Sequence, residues 1–374
     1  MSEVSARPIE QDEKLDVCSN AVDLPLAPQT LKGALKIVRP YAKANAAIAS
    51  FQVISTSLLF AALIGVMLYI GVEHLWATLL LAIPAGLVLL RIFTLQHDCG
   101  HGSLFGSRVA NNFIGSILAF VTLTPYQYWR AAHAIHHTTT GNLDKRGTGD
   151  IETLTIREYA ALSLKSKIGY RLIRNPFFLF GLGSILHFAI KQRLPVLLKR
   201  MNKKYLRSVH KTNLALVLVA IPIYFTYGIV DFLIIYIPVA WFAAAMGFWL
   251  FYVQHSFHDT YWSREEDWDY RKSAVEGSSL IDMPPILRWI SADIGIHHIH
   301  HLLPAIPNYQ LRPCYEENPS LCNPKKLGFK DMFTTLNMSL WDEDTKQLVP
   351  FRKARKMARM SAAAPTIVAK EPAE

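Results

Sequence analysis

Charge is what this sequence has least of. Only 18% of its 374 residues are Asp, Glu, Lys or Arg, and 51% are hydrophobic. Soluble domains carry about 25% charged residues, so the length suits one integral membrane protein better than two soluble domains. Cysteine is as scarce. Cys18, Cys99, Cys314 and Cys322 are the whole complement, and no two form a CxxC pair. That leaves no signal for a zinc ribbon or an iron–sulfur site and favours reduced, cytosolic surroundings. No HExxH is present, which argues against a zinc hydrolase of that type. The first 45 residues lack the charged-then-apolar pattern of a secretory signal, so the first apolar span is expected to direct insertion. The net charge of +10 gathers beside apolar runs. That pattern points to a membrane surface and away from nucleic acid.

A helix crossing a bilayer needs about 20 apolar residues. Residues 51–71, FQVISTSLLFAALIGVMLYIG, qualify and carry no charge. Residues 75–95 qualify too, with Arg91 near one end, where a long side chain can snorkel. The short link between them makes a helical hairpin. The apolar stretch that follows Lys211 breaks near Gly228–Asp231 and supplies a second hairpin, with spans of about 211–229 and 232–253. Pro84, Pro222 and Pro238 fall inside spans, where neighbouring helices can satisfy the freed carbonyls. Residues 113–124 and 177–190 are apolar but too short to cross. They read as interfacial or re-entrant helices, or as buried helices of a cap. Residues 1–45 are expected to be a polar N-terminal segment, 46–345 the membrane domain, and 346–374 a tail whose end, SAAAPTIVAKEPAE, has a disordered composition.

Orientation follows from basic residues. Between Thr138 and Lys211 fifteen Lys or Arg stand against four Asp or Glu, which places that segment in the cytoplasm. The run KRMNKKYLRSVHK at 199–211 reads as a topology determinant, with an anionic-lipid site as the alternative. Four spans leave both termini cytoplasmic, in what reads as an inner membrane of bacterial type. Both hairpins then return to the side they left. The histidine-rich segments at 97–101, 133–137, 255–258 and 297–301 all fall on that side. Segments scattered over some two hundred residues can therefore meet.

Spacing says what they meet for. His97 and His101 are i, i+4. His133, His136 and His137, and again His297, His300 and His301, are i, i+3, i+4. Each set lies on one face of a helix. His298 falls on another face. Imidazole is a neutral ligand for iron, copper, zinc or nickel, and protonated rings in such numbers would repel one another. Eight or nine nitrogens exceed the four of a tetrahedral site or the six of an octahedral one, which points to two ions with open positions. His255 follows Gln254 at the end of the fourth span as His97 follows Gln96 at the end of the second, which makes it a ninth ligand candidate. His258 is a weaker one. His74 lies in the far turn, and His187 and His210 have no grouped partners. Asp98, Asp150, Asp259 and Asp293 are candidates to fix the rings through their outer N–H groups. Tyr126, Tyr128, Trp129, Trp241 and Trp249 read as interfacial anchors.

HDCGH at 97–101, HAIHH at 133–137 and HHIHH at 297–301 resemble the three histidine boxes of membrane fatty acid desaturases. QHSFHDTYW at 254–262 resembles that family's further histidine segment. HDCGHGSLFGS, TGNLDKRGTGDIETLT and GIHHIHHLLPAIPNYQL look most like the bacterial branch near the omega-6 (delta-12) acyl-lipid desaturases. The sequence departs from the branch at His258, where an acidic residue is common. The resemblance covers most of the chain. It implies a di-iron centre held by His97, His101, His133, His136, His137, His255, His297, His300 and His301. It also implies O2 as co-substrate and removal of two hydrogens from a fatty acyl lipid to leave a cis double bond. Electrons come from an external donor, a ferredoxin or a b5-type cytochrome, since no HPGG-like haem motif or cysteine cluster is encoded. The nearest rivals are a di-iron hydroxylase or monooxygenase and, further off, a non-catalytic metal-binding or transport protein. The last would place polar residues along its spans, and these have few. The expected fold is an all-α membrane protein, four spans in two hairpins, with a cytoplasmic helical cap holding the histidines.

Overall fold

A computed structural model describes residues 30–194, 203–318, 321 and 324–356. The tail 361–374, the start of the basic run at 199–202, Cys18 and Cys322 lie outside the described residues.

The described chain opens with α1 (Leu31–Val38), capped by Thr30, and leads to α2 (Ala46–Ile70). Asn45 caps α2 by accepting from the amides of Ala47 and Ile48, and Gly71 ends it at positive φ. After a short turn α3 (Leu75–His101) runs for 27 residues to Gly102, whose left-handed backbone closes the helix; glycine adopts that conformation without steric cost. Then come α4 (Arg108–Val121) and α5 (Tyr126–Thr139), bent by 104° from each other. β1 (Leu154–Thr155), α6 (Ile156–Ala161) and α7 (Leu164–Ile173) follow. A largely π-helical stretch then surrounds one α turn, α8 (Ser184–Leu186). The second pair of long helices is α9 (Lys203–Thr226) and α10 (Ile229–His255), separated at Gly228.

Short elements complete the chain: α11 (Tyr270–Glu276), β2 (Leu280–Ile281), α12 (Pro285–Ser291), α13 (His297–Leu302), α14 (Asn308–Glu317), β3 (Lys326–Leu327), α15 (Phe329–Thr334), β4 (Leu340–Asp342) and β5 (Gln347–Val349). β4 lies between β1, which it pairs in parallel, and antiparallel β5, while β2 pairs β3 in parallel. The architecture is mostly helical, and the two small sheets only pin loops together.

Among the described residues four helices are long and apolar enough to cross a membrane: α2, α3, α9 from Tyr205, and α10. They occupy the two expected hairpins but run further, because α3 and α10 continue past their apolar spans to His101 and His255. α3 is central. In its most apolar window 61% of residues are buried, against 17% or less in the other three. Those three turn side chains such as Phe51, Leu58, Phe225 and Val230 outward, as suits a lipid surround. α3 and α10 meet through small residues, Ala82, Ala85 and Gly86 facing Val239 and Ala243, the means by which helices in lipid approach closely. Residues 113–124 and 177–190 do not span alone. Each belongs to a sharply bent helix pair.

Two expectations change. Arg91 does not snorkel; it is 4% exposed. Its Nε donates to Thr56 Oγ1 at 3.1 Å, and Nη1 donates to the Trp289 carbonyl, with the guanidinium 4.3 Å from the Trp289 ring centroid. A charge at this depth needs such partners, and those of Arg91 tie α12 to α2 and α3. Tyr126 is no interfacial anchor either, being buried with its hydroxyl on the Asn111 carbonyl. Residues that flank the span region are packed as well. Ala34 and Val38 of α1 join Ile299 and Leu302 of α13 in one core cluster, and Leu348 and Val349 of β5 are fully buried.

The α3–α10 contact yields a prediction. A Cβ on Gly86 would meet the Phe242 side chain at 2.9 Å, whereas one on Gly65 in α2 would meet nothing within 4 Å. Gly86→Leu should cost about 1–3 kcal/mol by overpacking and lower the thermal unfolding midpoint in detergent. Gly65→Leu should leave it unchanged or raise it.

Candidate metal centre

Four helix segments bring their histidines to one place. The last turns of α3 present His97 and His101, one turn apart. α5 presents His133, His136 and His137. α10 ends on His255. α13 carries His297, His300 and His301, all at 2% exposure or less. The nine rings sort into two groups. His97, His101, His133, His137 and His300 form the first; His136, His255, His297 and His301 form the second. Within each group, donor nitrogens all lie within 4.8 Å of one another. The groups adjoin, with the His137 and His301 rings stacked at 4.1 Å.

The first group has a telling geometry. Its Nε2 atoms form a chain: His97 to His101 at 3.3 Å, His101 to His133 at 3.1 Å, His133 to His137 at 3.1 Å, His137 to His300 at 3.2 Å. A neutral imidazole has one N–H and one lone pair. A nitrogen that carries the hydrogen cannot also accept, so three consecutive Nε2 atoms with two such neighbours each cannot all be satisfied by hydrogen bonds. A cation at the centre resolves the conflict. Ligand nitrogens about 2.1 Å from an ion and at right angles to one another lie ~3.0 Å apart, close to the observed spacing. In the second group His297 Nε2 lies 2.9 Å from His255 Nε2. His136 Nε2 and His301 Nε2 are buried without a hydrogen-bond partner, an expensive state for polar atoms unless something binds them. Burial first, then the neighbouring rings, push His297, His300 and His301 well below the ordinary histidine pKa. Their imidazoles are held neutral, the form that coordinates. The donor set fits two ions, one held by five nitrogens and one by four.

Three of the outer nitrogens are fixed from behind. His136 Nδ1 donates to Asp150, and His255 Nδ1 donates to the Gly277 carbonyl at 3.0 Å. His97 Nδ1 faces Asp98 Oδ1 at 3.4 Å. The other Asp98 oxygen accepts from the backbone amide and side-chain amide of Asn308 at 2.8 and 2.9 Å. Each contact leaves Nε2 free to face the centre. Gly149 lets Asp150 reach its ring. It has φ +79°, and a Cβ there would meet the Ala132 carbonyl oxygen at 2.8 Å. Gln96 and Gln254 work differently from ligands. Gln96 Oε1 accepts from Thr122 at the end of α4, and Gln254 Nε2 donates to the Ile294 carbonyl just before α13. They brace one histidine segment against another.

Some candidates lie elsewhere. Asp259 pairs with Lys325 and His258, and Asp293 pairs with Arg312; neither holds one of the nine rings. His258 is outside both groups. His298 is fully buried on the far side of α13 against Tyr315, and burial pushes its pKa down to about 3. Trp129 is not an anchor. It stacks on His133 at 4.8 Å, and Gly100 makes room, since a Cβ there would strike the indole at 2.7 Å. A cavity of about 220 Å³, lined by Gly100, His101, Trp129, Arg130, His133 and Ala134, opens onto the first group.

The outer contacts make a prediction. Removing such a partner typically weakens metal binding 10–100-fold. Asp150→Asn should lose metal at a lower chelator concentration than the parent, read as metal per protein after graded chelation. Asp259→Asn should not differ from the parent.

Comparison with known proteins agrees with this geometry. Residues 74–332 match the family model for fatty acid desaturases. A fatty acid desaturase of Bacillus subtilis (strain 168) is 43% identical over 285 residues, covering 76% of this chain and 80% of that protein. An endoplasmic-reticulum omega-3 fatty acid desaturase of Nicotiana tabacum is 30% identical over 284 residues, 69% of this chain and 72% of the relative. An sn-1 oleoyl-lipid 12-desaturase of Synechocystis is 27% identical over 250 residues, 65% and 69% of the two chains. A family match that takes in all four histidine segments, on helices built to cross a membrane, makes this chain a member of the fatty acid desaturase family and an oxidoreductase.

Proposed function

We propose that the chain inserts a cis double bond into the acyl chain of a membrane lipid at a di-iron centre held by the nine histidines, with both termini and the centre on the cytoplasmic side of a bacterial inner membrane. The observation that carries this reading is the pair of adjoining all-imidazole groups at the ends of two apolar helices. The reaction balances as R–CH2–CH2–R′ + O2 + 2e⁻ + 2H⁺ → R–CH=CH–R′ + 2H2O. Two bound irons would supply the oxidising power of O2 at the methylenes.

The protein's own part is positional. Neutral, buried imidazoles hold the cations without adding charge. Asp98, Asp150 and the Gly277 carbonyl keep ring nitrogens aimed inward. The apolar faces of the spans receive an acyl chain in surroundings as apolar as the lipid it leaves, so its transfer carries little cost. Trp129, packed over His133, shields that ring from water. The Synechocystis relative's name specifies an oleoyl lipid and position 12, which supports a monounsaturated acyl lipid as substrate. The absence of any haem or cysteine-cluster motif in the sequence supports a separate electron carrier.

Expression in a host that makes mainly saturated and monounsaturated chains, followed by mass spectrometry of double-bond positions, tests the reading. A new diunsaturated acid is expected, and hydroxy acids in its place would favour the monooxygenase alternative. His133→Ala and His300→Ala should each abolish product while membrane insertion persists. Full activity in either variant would remove that residue from the ligand set.

A further inference from the structure

α1 lies before the segment matched by the family model, so nothing in that match accounts for it. Its inner face is used. Ala34 and Val38 are buried against Ile299 and Leu302, the apolar residues interleaved with the histidines of α13. Its outer face is basic. Lys32, Lys36, Arg39 and Lys43 are all exposed. Lys32 and Lys36 share one face of α1, Arg39 opens the 3-10 turn that follows it and Lys43 lies in the extended link to α2, so the four make one short basic stretch, and no Asp or Glu occurs between Thr30 and Asn45. Among the described residues no carboxylate pairs with any of the four. Glu317, at the far end of the stretch, is taken by the Tyr41 hydroxyl at 2.6 Å.

A stretch of like charge without partners repels itself and is relieved by an acidic surface. A membrane-surface helix buries its apolar face in lipid, but the apolar face of α1 is already spent on α13. One helix thickness, about 10 Å, separates the stretch from the helix that supplies His297, His300 and His301. We propose that the stretch of Lys32, Lys36, Arg39 and Lys43 is the docking surface for the acidic one-electron carrier protein that reduces the metal centre. The proposal rests on the desaturase reading above. Each turnover takes one electron from each of two reduced carriers, which leave oxidised.

The test uses the full chain, metal-loaded, in nanodiscs, with two probes: an acidic [2Fe–2S] ferredoxin and the acidic soluble domain of a b5-type cytochrome. The Lys32→Glu/Lys36→Glu variant should bind the productive carrier at least about tenfold more weakly and raise its KM in proportion. Added salt should weaken the parent but not the variant. Metal content, and turnover driven by a photoreduced deazaflavin, should stay at parental levels. Equal carrier binding and KM in parent and variant would overturn the docking surface. So would a variant that keeps its carrier KM but loses affinity for phosphatidylglycerol vesicles, which would assign the stretch to lipid. A parent that makes no desaturated product with any reductant would instead overturn the desaturase reading, and direct carrier binding would still decide the surface.

Discussion

Nine imidazoles gathered in two groups, the donor nitrogens of each within 4.8 Å of one another, form an arrangement that hydrogen bonds cannot fully satisfy. Along the chain from His97 through His101, His133 and His137 to His300 each inner Nε2 has two nitrogen neighbours and only one N–H or one lone pair to offer them. Burial blocks the usual escape, because protonation would place several positive charges in one dry space. Cations held between the rings would relieve both problems. Other features of the chain accompany it: helices long enough to carry histidines past their apolar spans, carboxylates and a carbonyl that hold ring orientations, and glycines where a side chain would block the approach.

The scaffold divides that task. α3 and α10 are long posts whose last residues are histidines of the two groups, and their close contact through Ala85 and Gly86 fixes the separation of His97 from His255. α5 and α13 are short and would not hold a conformation alone. They are braced instead. Gln96 and Thr122 secure the approach to α5; Gln254 and Ile294 secure the approach to α13. Arg91 grips the end of α12 from within the membrane-spanning layer, just before the left-handed pair Ala292 and Asp293 turns the chain into α13. Two consecutive non-glycine residues in that conformation store strain, and the Asp293–Arg312 pair at 2.9 Å helps hold the turn.

Much of this was legible beforehand. Long apolar runs mark spans whatever their neighbours, since a backbone in lipid has no partner but itself. Helical spacing places His133, His136 and His137 on one face because 3.6 residues make a turn. Reading failed where long-range contact overrides local pattern. Arg91 near a span end looks like a snorkelling side chain, yet a carbonyl and an indole from a helix 198 residues away receive it. Residues 1–45 read as a polar segment, yet Ala34 and Val38 dock on α13. Asp259 and Asp293 resemble Asp98 and Asp150 in sequence, and only pairing with Lys325 and Arg312 sets them apart.

By itself the sequence determined the family, the number of long apolar helices and the kinds of side chain that gather at their ends, because hydropathy and helical period are local properties. Tertiary structure alone decided how the nine rings divide. His136 and His137 are adjacent in the chain, yet one joins His255, His297 and His301 while the other joins His97, His101, His133 and His300. Consecutive residues on a helix point about 100° apart, and which neighbour each then meets depends on where α3, α10 and α13 have been packed.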